Sequence, residues 1–181
     1  MQKSFKIVQL GNRVIRSKAK RVRGIHDPKV KRIIQSLISI MREQNLVGMA
    51  APQIGEGVRI FVSEVRSTTY RKNIAEPDEL RIFINPEITT HSKRKSVSYE
   101  GCGSVAEAAL FGPVSRYERI TVKALNIDGE SFTLEASGFL ARIIQHEIDH
   151  LDGTVFLDRV TDTRKLMGRQ EYIDSQKKEA S

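Results

Sequence analysis

Two histidines four residues apart, with a glutamate beside the first, set the chemistry this chain can do. In Gln145-His146-Glu147-Ile148-Asp149-His150 a helix would stack His146 and His150 on one face. Two imidazoles so placed can bind one metal ion, and Glu147 can then handle the protons of a water on that ion. The chain has only 4 histidines, so two of them flanking a Glu at this spacing are not what composition alone produces. The alternative is a surface helix that happens to carry polar residues.

A catalytic site needs a third protein ligand and an open position. One protease class supplies a third His in H-E-x-x-H-x-x-G-x-x-H. Here Gly153 is in register but Phe156 stands at the last position, so that class is excluded. A Glu on a later helix is a second route, and Glu171 could serve in an HExxH metallopeptidase. The third is Cys102, the single cysteine, between Gly101 and Gly103 where backbone can approach another group closely. A thiolate suits zinc or ferrous iron, although a lone Cys is commonly just a small buried hydrophobe. Spacing leaves Glu171 and Cys102 both open.

The elements that must position these groups follow from periodicity. Phe139, Ile143, His146 and His150 fall on one side of a helix that Ser137 can cap; Leu140, Ile144 and Leu151 fall on another. A helix apolar on two sides is buried between layers, and histidines there need partners. Gly153 is a left-handed cap for its end. Asp27-Pro28 begins an amphipathic helix running to about Gln44, with Val30, Ile33, Ile34, Leu37, Ile38 and Met41 facing the core.

Leu46 to Gly55 is a small, apolar, tightly turning run with Gln53 as its one polar side chain. Read alone, Gln53 is a structural hydrogen bonder; the sharper reading is a donor aimed at a substrate. Strands are predicted for 58–65, for 81–85 (ended by Pro86) and for 155–157. Ile120–Ile127 and Ser131–Ala136 read as a hairpin turned by Asp128-Gly129. Residues 67–80 read as a mobile loop, Thr89–Ser96 as an exposed basic connection, Gly112-Pro113 as a turn, and 163–181 as a polar helix and tail. His26 and His91 read as solvated.

The fold class is therefore α+β: small antiparallel or mixed sheets around a central buried helix, an N-terminal amphipathic helix and a C-terminal helix. At 181 residues the simplest organisation is one domain over 1–181. One cysteine excludes an intrachain disulfide and suits a reducing, cytoplasmic setting. No stretch approaches the ~18 apolar residues of a membrane span, and no apolar run of signal-peptide length follows the N-terminus. Residues 1–35 hold eleven Lys/Arg against Asp27 alone, while the whole chain carries +8. Such a face invites polyanions including ribosomal RNA, but no aromatic interleaving points to a dedicated nucleic-acid reader. Neither a membrane nor a specific DNA partner is expected.

Three ordered stretches carry a family resemblance: Gly48-Met49-Ala50-Ala51-Pro52-Gln53-Ile54-Gly55, Glu100-Gly101-Cys102-Gly103-Ser104, and Gln145 through Gly153. Together they resemble the three motifs of the peptide deformylases, and the likeness covers nearly the whole chain. It implies that Cys102, His146 and His150 bind one divalent metal, ferrous iron above nickel, cobalt or zinc. The implied reaction is removal of the N-formyl group from formyl-methionyl nascent peptides, releasing formate. Glu147 would be the general base and acid, and Gln53 with the Gly103 backbone N–H the oxyanion donors. Val47, Phe139 and Ile143 are candidates for the methionine pocket, and Gly48 for backbone pairing with substrate. The chain departs from the pattern at Leu46, where a glycine is usual; at Met49, usually Leu; and at Gly103, usually Leu. The segment from Ala106 to Phe111 is about two residues longer than the common form. A deformylase-like scaffold of low activity that docks on the ribosome through its basic face is a further reading.

Overall fold

The computed structural model of the protein describes residues 6–69 and 74–179. Met1–Phe5 of the basic N-terminal stretch, residues 70–73 of the expected mobile loop, and the last two residues of the tail lie outside the described residues.

Helix α1 spans Pro28–Glu43, with Asp27 capping it: its Oδ1 accepts from Lys29 N at 2.7 Å. Strands β1 (Gly48–Ala50), β2 (Ile60–Val65), β3 (Asp78–His91), β6 (Arg119–Leu125) and β7 (Ser131–Ser137) form an antiparallel sheet in the order β1-β2-β3-β6-β7. Strands β4 (Lys95–Gly101), β5 (Leu110–Tyr117) and β8 (Met167–Gly168) form a second sheet in the order β4-β5-β8. Helix α2 is Gly138–Leu151 and helix α3 is Arg169–Glu179.

Period-two alternation decides which helix covers which face of the larger sheet. Ile60, Val62 and Ile84 point to the side where α1 lays Val30, Ile33, Ile34, Leu37 and Met41. Phe61 and Phe83, stacked with centroids 4.3 Å apart, point to the other side and meet Ile144, Ile148 and Leu151 of α2. Burial of both faces explains why β2 reads as a continuous apolar run. The opposite flank of α2 faces the smaller sheet, so the helix lies between layers as its two apolar sides require. β1 and β4 are edge strands of their respective sheets. None of the described helices is long and apolar enough to cross a membrane.

Four local expectations are corrected. β3 runs through Pro86 to His91, because register shifts between Ile84 and Glu87 give the proline a place without a ladder donor. Gly112-Pro113 lies inside β5, where Gly112 lets Leu166 and Val160 pack against the backbone: a Cβ would sit 2.8 Å from each. Residues 155–157 do not form a strand; Phe156–Arg159 is a 3-10 turn closed by Asp158 Oδ2 accepting from Val155 N at 2.9 Å. The C-terminal helix begins only at Arg169, after a 3-10 turn at Thr163–Lys165 and β8. Ser137 sits at the N-cap of α2 but makes no side-chain cap bond. His26 and His91 are exposed as expected, although His91 stacks on Tyr117 at 3.8 Å.

Candidate metal centre

Helix α2 delivers His146, Glu147 and His150 to one end of a cleft of about 1250 Å³. The strand β4 ends at Gly101 and hands over Cys102 from the opposite side. The ligand atoms of Cys102, His146 and His150 all lie within 4.8 Å of one another. Cys102 Sγ is 3.2 Å from His150 Nε2, and the His146 and His150 rings meet edge to face with centroids 5.0 Å apart. No other set of three or more His, Cys, Asp or Glu converges in this way among the described residues. Glu171 is exposed on α3 and outside the set, so the metallopeptidase arrangement lacks its third ligand.

The donor set fits a divalent cation of intermediate softness. His146 Nδ1 is held 2.9 Å from Glu100 Oε2, which leaves Nε2 for the ion. Burial alone would raise the Cys102 thiol, but His150 and His146 pull it down to about 5, so the thiolate is at hand.

Glu100 is the residue whose role spacing did not reveal. Its Oε1 accepts from Arg116 Nε at 3.0 Å and Arg142 Nη1 at 2.8 Å; its Oε2 accepts from Arg116 Nη2 at 2.9 Å. Arg116 continues to Asp149 at 2.5 Å, and Asp149 accepts from Arg159 Nη2 at 2.6 Å. Burial works against the Glu100 carboxylate, yet His146 and Arg116 hold it ionised, well below the usual range. Gln145 adds a second tie across α2, exchanging bonds of 3.0 and 2.9 Å with the main chain of Tyr117. The available signal was chemical: a metal-binding imidazole needs a partner on its other nitrogen, and an acid stands two residues before Cys102.

Glu147 is buried, and its Oε2 has no hydrogen-bond partner. Burial pushes its carboxyl up to about 7, with His146 and His150 opposing the rise. Its position fixes the residue facing it: a Cβ at Gly48 would lie 2.5 Å from Glu147 Oε1 and 2.8 Å from Ile143 Cγ2. Only glycine fits there. Gln53 is 2 % exposed; its Oε1 accepts from Ala50 N at 2.8 Å. That bond orients the amide so that Nε2 points to the site, 3.5 Å from Cys102 Sγ. The structural and functional readings of Gln53 therefore hold together. Val47, Gly48, Phe139, Ile143 and Gly103 all line the same cleft.

The family model for polypeptide deformylase matches residues 4–166. The chain belongs to the polypeptide deformylase family. Among the family's curated members, the peptide deformylase of Dictyoglomus thermophilum is 41% identical over 156 residues, covering 86% of this chain and 92% of that protein. That of Desulforudis audaxviator is 41% identical over 158 residues, covering 87% and 94%. Among solved structures, a ligand-bound class I type b peptide deformylase from Acinetobacter baumannii superposes with a TM-score of 0.82 at 30% identity, covering 88% of this chain and all of that one. The Thermotoga maritima deformylase gives 0.76 at 35% identity, covering 89% of this chain. The α+β architecture expected from the three motifs is that of the family.

Proposed function

We propose that this chain acts as a single catalytic domain that hydrolyses the N-formyl group of formyl-methionyl peptides, releasing formate and a free amino terminus. One observation carries the reading: a Cys-His-His set converges beside a buried, unpartnered glutamate in an open cleft.

Cys102, His146 and His150 would hold the ion, and we assign ferrous iron, with nickel, cobalt or zinc as substitutes. When bound, the ion supplies Lewis acidity, lowering the pKa of a water toward ~7 and polarising a carbonyl. Glu147 takes a proton from the attacking water at its unpartnered Oε2. A carboxyl poised near 7 can both accept that proton and return it. It passes the proton to the amine nitrogen as the C–N bond breaks, and the water oxygen leaves in formate. Gln53 Nε2 and the Gly103 N–H donate to the oxygen that gains charge, and losing one such donor typically costs ~10²–10³ in rate.

Val47, Phe139 and Ile143 enclose the methionine side chain. The main chain of Gly48, at the free edge of β1, pairs with the substrate as an added strand. The Lys18, Lys20, Arg21, Arg23, Lys31 and Arg32 side chains are exposed, which supports docking on ribosomal RNA as an addition to catalysis. Steep loss of ribosome binding with rising salt is the expected signature, and salt-independent binding would count against it.

The deciding experiment is formate release from a formyl-methionyl peptide by protein loaded with ferrous iron without oxygen. Absence of formate from protein shown to hold one metal per chain overturns the reading.

A further inference from the structure

Gly103 brings no side chain to the turn that follows Cys102, and the turn is strained. Ala106, Glu107 and Ala108 stand in succession at φ of 46, 52 and 58°. A residue with a Cβ is disfavoured there, and a run of three persists only where the surroundings over-determine it.

Those surroundings come from both ends of the chain. Gln9 Nε2 donates to Gly103 O at 2.8 Å while its Oε1 accepts from Glu107 N at 3.1 Å, so one side-chain amide bridges the turn. The adjoining main chain adds Leu10 N to Ser104 O at 2.7 Å and Val8 N to Gln53 O at 2.8 Å. From the other side Arg169 donates through Nε to Ala108 O at 3.1 Å and through Nη2 to Glu107 O at 2.6 Å. The two apolar neighbours of Gly103 are Leu46 and Ile7, 3.3 and 3.4 Å from where a Cβ would be. Leu46 is itself the other departure from the family pattern.

The peptide that presents the Gly103 N–H is fixed at its carbonyl, since Cys102 O accepts from Val105 N at 3.0 Å. The next peptide has Gln9 as its anchor. Glycine would otherwise leave this joint freer than any other residue. Among the described residues the Gly103 N–H donates to no protein acceptor.

We propose that Gln9 is a positioning residue for the reaction. Its side-chain amide fixes the Gly103 turn so that the N–H faces the reacting carbonyl oxygen. The segment 7–10 also ties that donor to Gln53, making the two oxyanion donors one rigid pair. The role rests on the deformylase reading.

The test uses metal-loaded Gln9→Met, which keeps volume and removes both bonds, and Gln9→Glu, which removes the donor to Gly103 O. With a formyl-methionyl tripeptide, kcat is expected to fall about 10-fold with KM within about twofold, because misplacing a donor costs less than deleting one. Metal content stays at one per chain, and amide exchange over 103–108 quickens by about 10-fold or more as the turn loosens. A role confined to stability would lower Tm and leave kcat and exchange of this segment unchanged. Parent-like kcat in both folded variants, or a loss matched by lost metal, overturns the proposal. An inactive parent overturns the deformylase reading itself, and this role with it.

Discussion

The cleft has one wall on a helix and one on a turn, and they are made rigid by opposite means. On the helix wall, α2 sets the spacing of His146, Glu147 and His150, and a buried ion network seizes what spacing leaves free. Glu100, Arg116, Arg142 and Asp149 are all buried, and each is paired. On the turn wall there is no regular structure and no charge network. The turn is held by single hydrogen bonds from residues 94 and 98 positions earlier and about 60 later, with Leu46 and Ile7 as packing. The helix wall owes its geometry to local periodicity, and the turn wall to closure of the chain around it.

That contrast can be tested at several strengths. Glu147→Gln removes the proton carrier from the helix wall without touching a ligand, and kcat should fall about 10³-fold with metal retained. Metal analysis beside the formate assay checks this, and residual turnover near the parent's would refute the role. Gly48→Ala drives a methyl into Glu147 and Ile143, so a loss of roughly 10²-fold is expected from sub-ångström displacement of the base. An unchanged rate would mean that the walls can part at no cost.

Glu100→Gln tests the network. Metal affinity should drop about 10- to 100-fold in a competition titration, because His146 loses a charged partner. Urea unfolding should show a loss of ~3–5 kcal/mol, since Arg116 and Arg142 are left buried with less counter-charge. An effect on stability alone would confine Glu100 to the fold.

The gentlest probe lies on the turn wall. Gly103→Leu alone should cost ~1–3 kcal/mol by overpacking against Leu46 and Ile7. Adding Leu46→Gly should recover part of that loss, with a coupling of ~0.5–3 kcal/mol. Strict additivity would show that the two departures arose independently in space.

The helix wall was legible in the sequence because its rules are local. The i, i+4 histidines, the double apolar face and the Gly153 cap need only a short window, and Gly153 does adopt φ 77°. The Asp128-Gly129 hairpin and the Asp27 cap were legible for the same reason. Gln53 was ambiguous because its two roles use opposite ends of one amide, and only the Ala50 contact orients it. Glu100 was visible as a letter of a motif but not as the partner of His146, 46 positions away. Gln9 and Arg169 left no signal at all: a Gln in a basic arm and an Arg at a helix start look like solvated residues until the chain closes. The β3 and β5 prolines misled for a related reason, since a bulge or an approaching side chain is a tertiary event.

The cleft lies where two sheets each present an unpaired edge, β1 on one side and β4 on the other. An edge strand recognises main-chain N–H and C=O groups, which every peptide repeats regardless of its letters. A protein that must treat thousands of different nascent chains alike can thus concentrate discrimination in one pocket for the first residue. Everything after it is gripped by grammar rather than vocabulary.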